Sequence, residues 1–185
     1  MLKYTLAGLM LASCSDGPPH TPETRPVEHP NAGNTAIYDV DADDPYEMGD
    51  SSFLDLYPGM PLPATDALAP AGEVSVQETT FDRYWLMGER EDTLAYVLVD
   101  RPNRTISSIH VVSPDVATRA GLRVSNSFDE IRQRTGATKV VKDPEGQPLL
   151  RGDGWIHYRL TYSTGNEADT IPSESTVSEI ILRHR

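Results

Sequence analysis

From Glu73 onward, β-branched and aromatic residues recur in short runs divided by polar turns. Val74, Val76, Thr79 and Phe81 open the series, and Arg83-Tyr84-Trp85-Leu86-Met87 forms a second run ended by Gly88 and four charged residues. Residues 93–99 and 106–112 are the third and fourth runs, with Pro102 and Asn103 marking the turn between them. Strands this close in sequence pair antiparallel, because parallel neighbours need long crossovers. Residues 116–125 read as an irregular bridge. Ser127-Phe128-Asp129-Glu130 then has the form of a capping box, and Gly136 follows Arg132 and Arg134, so one short helix is expected at 127–135. Residues 138–142 are strand-like, and Asp143-Pro144-Glu145-Gly146 is a turn. Past the Gly152-Asp153-Gly154 turn the alternation is clean. Ile156, Tyr158, Leu160 and Tyr162 fall on one face, with Trp155, His157, Arg159 and Thr161 on the other. A polar loop at 163–175 leads to Val177, Ile180 and Ile181. The pattern predicts a mainly β domain, an antiparallel sandwich or strongly curled sheet of about seven strands with one short helix.

Before this domain the pattern changes twice. Residues 53–71 mix Phe53, Leu54, Leu56, Tyr57, Met60 and Leu62 with four prolines. They predict an ordered irregular segment laid against the domain, with one helical turn at Asp66-Ala67-Leu68. Proline at that density excludes a long helix or a central strand. Residues 15–50 have almost no apolar periodicity, six prolines and an acidic cluster, so they cannot offset the entropy of ordering and read as a disordered tether. A flexible chain of that length spans roughly 35 Å on average. Asp39, Asp41 and Asp43 match the first ligands of a calcium loop, but Asp44 replaces its turn glycine and Asp50 its terminal Glu, so a solvated linker is the better reading.

At the amino terminus, Lys3 precedes a short apolar run ending in Leu11-Ala12-Ser13-Cys14, the layout of an export signal. The run is too short for a bilayer-spanning helix of ~20 residues. Its end resembles the lipobox of bacterial lipoproteins. That resemblance implies removal of residues 1–13 after recognition of Leu11, Ala12 and Ser13, and a diacylglyceryl thioether on Cys14. Two or more acyl chains anchor durably. Ser15, in place of an inner-membrane retention Asp, points to the outer membrane. The expected organisation is a signal at 1–13, a lipidated tether at 14–52 and a single domain at 53–185.

The formal net charge of -12 is concentrated in the tether, where residues 15–52 hold nine acids against Arg25 alone. Clustered Lys/Arg is missing, which argues against nucleic acid as a partner. The lone Cys14 precludes an intrachain disulfide, so the domain must cohere through its core.

A further resemblance is carried by Thr105-Ile106-Ser107-Ser108-Ile109-His110-Val111-Val112-Ser113, by Thr118, Gly121, Val124 and Phe128, by His157-Tyr158 and Pro172-Ser173, and by Val177-Ser178-Glu179-Ile180-Ile181-Leu182-Arg183. In order and spacing this half of the chain resembles the RpoE-regulated lipoprotein family, envelope lipoproteins of unknown molecular function. Ser125-Asn126 departs from the pattern, which has a glycine there. The resemblance implies a mainly β periplasmic domain on an outer-membrane lipid anchor, with no assigned catalytic residues.

Searching for chemistry yields little. Ser113, His110 or His157, and Asp115 supply the residue types of a catalytic triad, but no Gly-x-Ser-x-Gly elbow presents the serine. No His/Cys spacing suits zinc, and no cofactor motif is present. Trp155, His157 and Arg159 form a candidate recognition strip, since Trp and Arg are enriched in binding hot spots. The expected function is therefore a non-enzymatic envelope-maintenance module that binds an envelope protein or peptidoglycan. The alternative is an inhibitor or immunity lipoprotein against a lysozyme-like or toxic hydrolase, whose basic surface the acidic balance would suit.

Overall fold

The computed structural model describes residues 46–143, 145–161 and 171–184. The lipobox through Cys14, the acidic cluster at 39–44 and most of the 163–175 loop lie outside them. Eight strands form one antiparallel sheet. In chain order they are β2 (Leu68–Val76), β3 (Thr79–Met87), β4 (Thr93–Asp100), β5 (Thr105–Val111), β7 (Val140–Lys142), β8 (Pro148–Arg151), β9 (Ile156–Leu160) and β10 (Val177–Arg183). Their spatial order is β2-β3-β4-β5-β10-β9-β8-β7, so the last strand inserts beside β5 and leaves β2 and β7 as open edges. Two further strands, β1 (Tyr46–Met48) and β6 (Val116–Thr118), make a separate parallel pair. The single helix α1 is Phe128–Thr135.

Cross-strand register explains the core. Leu86, Ala95, Val111, Ile180, Tyr158 and Leu150 form one row across six strands on one face of the sheet. Tyr84, Val97, Ile109, Leu182 and Ile156 form the next row on the same face. These rows join Met48, Phe53, Leu56, Phe128 and Ile131 in one apolar cluster. One face of the sheet is thus sealed by the leading segment and the helix. The other face is left to the polar alternates.

The helix is as expected. Ser127 Oγ accepts from the Glu130 amide at 3.3 Å, and Glu130 Oε2 accepts from the Ser127 amide at 2.7 Å. Gly136 closes the helix in the left-handed region, its N–H donating to Arg132 O.

Four expectations are corrected. Residues 46–52 were assigned to the tether, yet Tyr46 and Met48 are buried and pair with Val116 and Thr118. The same pairing replaces the irregular bridge expected at 116–118. Asp66-Ala67-Leu68 makes a single turn closed by the Leu68 N–H donating to Thr65 O at 3.3 Å, not a turn of α-helix, and Leu68 already pairs with Leu86 in β2. The first hairpin turns at Gln77–Glu78, with Gln77 at φ +54° and Val76 opposite Thr79. Neither residue carries a turn signal. Residues 148–151 form β8, bounded by Pro148 and Gly152 and hydrogen-bonded to neighbours on both sides. The strand count is accordingly eight in the sheet and two outside it, against about seven expected. Pro70 sits in β2 without penalty because β2 is an edge strand with a register shift between Pro70 and Glu73.

Candidate functional site

Residues two apart on a strand share a face, so the alternates of the core rows make a second set of rows on the opposite face. One reads Trp85, Tyr96, His110, Ile181, His157, Arg151 across β3, β4, β5, β10, β9 and β8. Another reads Arg83, Leu98, Ser108, Arg183 across β3, β4, β5 and β10. Tyr96, His110 and Ile181 of the first row and all four residues of the second line a groove of about 390 Å³, within the range of small-molecule sites. Val74 and Val76 of β2 and Leu149 of β8 line it from opposite sides. In a flat sheet those strands would stand roughly 29 Å apart at ~4.8 Å per step. The sheet is therefore strongly curled around this face.

A chain of polar contacts runs beneath the groove. Tyr96 packs edge-on against Trp85 and stacks on His110, with centroids 4.4 Å apart and planes 12° apart. Its hydroxyl donates to Glu179 Oε1 at 3.1 Å. His110 places Nδ1 at 3.3 Å from Glu179 Oε2 and Nε2 at 2.8 Å from Ser108 Oγ. Arg159 Nη2 is 2.8 Å from Asp143 Oδ2, and Arg159 Nη1 is 3.6 Å from Glu179 Oε2. Asp143 also accepts from the Gln147 amide at 2.7 Å, which fixes the β7–β8 turn.

The charge states follow from these contacts. Burial pulls His110 below its usual range, against the opposing pull of the Glu179 hydrogen bond and charge. Neutral His110 then donates from Nδ1 to Glu179 and accepts at Nε2 from Ser108. For Glu179, burial works to raise the carboxyl, but the hydrogen bond from His110, the Arg159 charge and the Tyr96 hydroxyl outweigh it and hold it ionised. Tyr96 is pushed far up by burial, then by Glu179, so it stays a donor.

Ser108, His110 and Glu179 reproduce the order of contacts in a serine–histidine–carboxylate relay. An interior strand, however, spends its amides on its neighbours, and β5 is paired with both β4 and β10. The residue types of the expected triad do not assemble otherwise. Ser113 Oγ accepts from the Asp115 amide at 3.2 Å, while His110 is held by Ser108 and Glu179.

The expected strip of Trp155, His157 and Arg159 is dispersed. Arg159 alone reaches the groove. His157 is buried and donates from Nδ1 to Trp155 O at 3.0 Å. Trp155 precedes β9, packs on the core cluster and tilts over His184 at 4.3 Å. Cys14 with Leu11, Ala12 and Ser13 lies outside the described residues. Ser108, Tyr96, Glu179 and Arg183 were missed, though polar residues alternating with core positions in β5 and β10 were the available signal. Among the described residues no group of His, Cys, Asp or Glu has the geometry of a metal site, and no helix is long and apolar enough to cross a membrane. A second, more open depression of about 570 Å³ lies beside Asp66, Gly88 and Glu91.

No family model matches the chain, and no curated protein matches it in sequence. Among solved structures the fold is similar to that of the uncharacterized protein yfeY from Escherichia coli, with TM-score 0.53 and 18% identity, covering 75% of this chain and 99% of that one. At that identity the likeness shows a shared fold.

Proposed function

We propose that this chain is an outer-membrane lipoprotein of the RpoE-regulated lipoprotein kind, anchored through Cys14 and facing the periplasm, whose domain is a non-enzymatic binding module. The observation that carries the reading is the asymmetry of the sheet. One face is sealed by Phe53, Leu56 and α1, while the other curls into a groove over a hydrogen-bonded polar network. Such a network holds the walls in place and leaves the groove to an envelope ligand. The lipobox-like Leu11-Ala12-Ser13-Cys14 supports the cellular placement.

Placing a photo-crosslinking amino acid at Leu98, in the groove, and at Tyr57, exposed elsewhere, tests the binding role in cells. A light-dependent adduct at Leu98 and none at Tyr57 is expected. The reverse pattern, or hydrolysis of esters, phosphoesters or peptidoglycan at enzyme-like rates by the purified chain, overturns it. Stoichiometric inhibition of a lysozyme would instead favour the inhibitor reading. Palmitate labelling is expected to vanish in Cys14→Ala, and labelling that survives removes the anchor from the proposal.

A further inference from the structure

The three arginines at the groove are not equivalent. Arg159 meets two carboxylates, Asp143 and Glu179. Arg83 donates to Ala71 O at 3.2 Å and lies over the Trp85 ring at 5.0 Å, and Arg183 donates to Lys142 O at 3.1 Å. Among the described residues neither has a carboxylate within ion-pair distance. The Nε of Arg83 is also buried without a partner. Arg83 and Arg183 end the row whose middle is Leu98 and Ser108, and beside that row Val74, Phe81 and Ile181 supply apolar surface.

This combination is selective. A small hydrated anion gains nothing from Leu98 and Phe81, and a neutral chain gains nothing from two guanidiniums that lack an ion-paired carboxylate. We propose that the groove seats a single-chain amphiphile with an anionic carboxylate or phosphate head. The alkyl chain lies along Val74, Phe81 and Leu98, and the head is held by Arg83 and Arg183. Arg183 is held below the usual arginine range by burial and by the like charge of Arg159, with Asp143 opposing, so a bound anion relieves an existing strain on its charge. The chain as a whole carries -12, which makes the local pair of cations, rather than overall attraction, the source of selection. The inference rests on the groove being the ligand seat.

The test uses the full chain carrying Cys14→Ser, so that no attached acyl group competes. Calorimetric titration with octanoate, decanoate, laurate and dodecyl phosphate should show one saturable site, tightening roughly fourfold per added methylene until the groove is filled. Dodecyl maltoside below its micellar concentration should bind at least about tenfold more weakly, the loss expected for one charge-assisted contact. Arg83→Gln with Arg183→Gln should weaken laurate binding at least about tenfold and so remove the preference for anions. Equal affinity for laurate and dodecyl maltoside, displacement of laurate by inorganic phosphate alone, or no saturable binding by the wild-type chain each overturns the proposal. The series on the wild-type chain decides the matter even if the double variant fails to fold. Crosslinking at Leu98 in cells without laurate binding in vitro would overturn the ligand class and leave the groove as a binding site.

Discussion

Nδ1 of His110 lies 3.3 Å from a carboxylate oxygen of Glu179, across the seam where β5 meets β10 and 69 positions away in the chain. Glu179 accepts there from His110 and Tyr96 and faces Arg159. Removing its carboxylate strands one cation and two buried donors at once. Glu179→Ala is expected to destabilise the fold by about 2 to 4 kcal/mol, with Glu179→Gln costing less because the amide oxygen keeps an acceptor for one of the two donors. Urea denaturation of the three proteins checks the order.

The same pair makes stability depend on pH in a definite direction. His110 resists protonation in the fold, whereas in the unfolded chain it takes up a proton near the ordinary 6.5. The unfolded state therefore binds more protons as pH falls through that value, and stability falls with it. Glu179 is held below its ordinary 4.5, so its contribution is present above that pH and lost as pH drops through the folded value. Both effects have one sign. Thermal midpoints should decline from pH 7.5 to 5, at no more than about 1.4 kcal/mol per pH unit from His110, and His110→Gln should flatten this upper part of the curve. A midpoint that rises on acidification contradicts the assignment.

Ser127 and Glu130 satisfy each other's amides at the start of α1. Ser127→Ala should cost about 1 kcal/mol, and up to about 2, because Phe128 and Ile131 of the same helix are core residues. Chemical denaturation with an unchanged slope would show that the cap alone was lost.

Gly154 has φ +56°, and a β-carbon there would collide with the backbone of Asp50, whose carbonyl accepts from the Trp155 amide at 2.8 Å. Gly154→Ala should cost about 1 to 3 kcal/mol from strain and displacement. Asp50→Ala, which keeps that carbonyl, should cost under about 0.5 kcal/mol. Equal losses in the two variants would mean that the backbone approach is unimportant.

Local signals carried much of the fold. The capping box and Gly136 marked α1 within a residue, and the runs at 93–99 and 106–112 marked β4 and β5, because caps, turns and strand periods act within a few residues. Residues 46–48 and 116–118 gave no such signal. Each is three residues long, and their parallel pairing closes 67 intervening residues, which no local pattern records. Four-residue β8 was hidden in the same way between Pro148 and Gly152.

The candidate site was less legible than the fold. His110 and Arg159 were visible as polar residues in strand patterns, but nothing linked them to Glu179 or Tyr96, which lie 69 and 83 positions from one another's partners along the chain. Alternation told which residues share a face of one strand. It did not tell which strands are neighbours, and inserting β10 between β5 and β9 is what brings Ser108, His110, Glu179 and Arg159 together. By itself the sequence determined the mainly β class, the helix and the stretches able to form strands, since each follows from short-range backbone preferences and apolar period. Only the tertiary structure decided the strand order, the curl and hence the groove, because pairing register and sheet curvature are properties of contacts between distant segments.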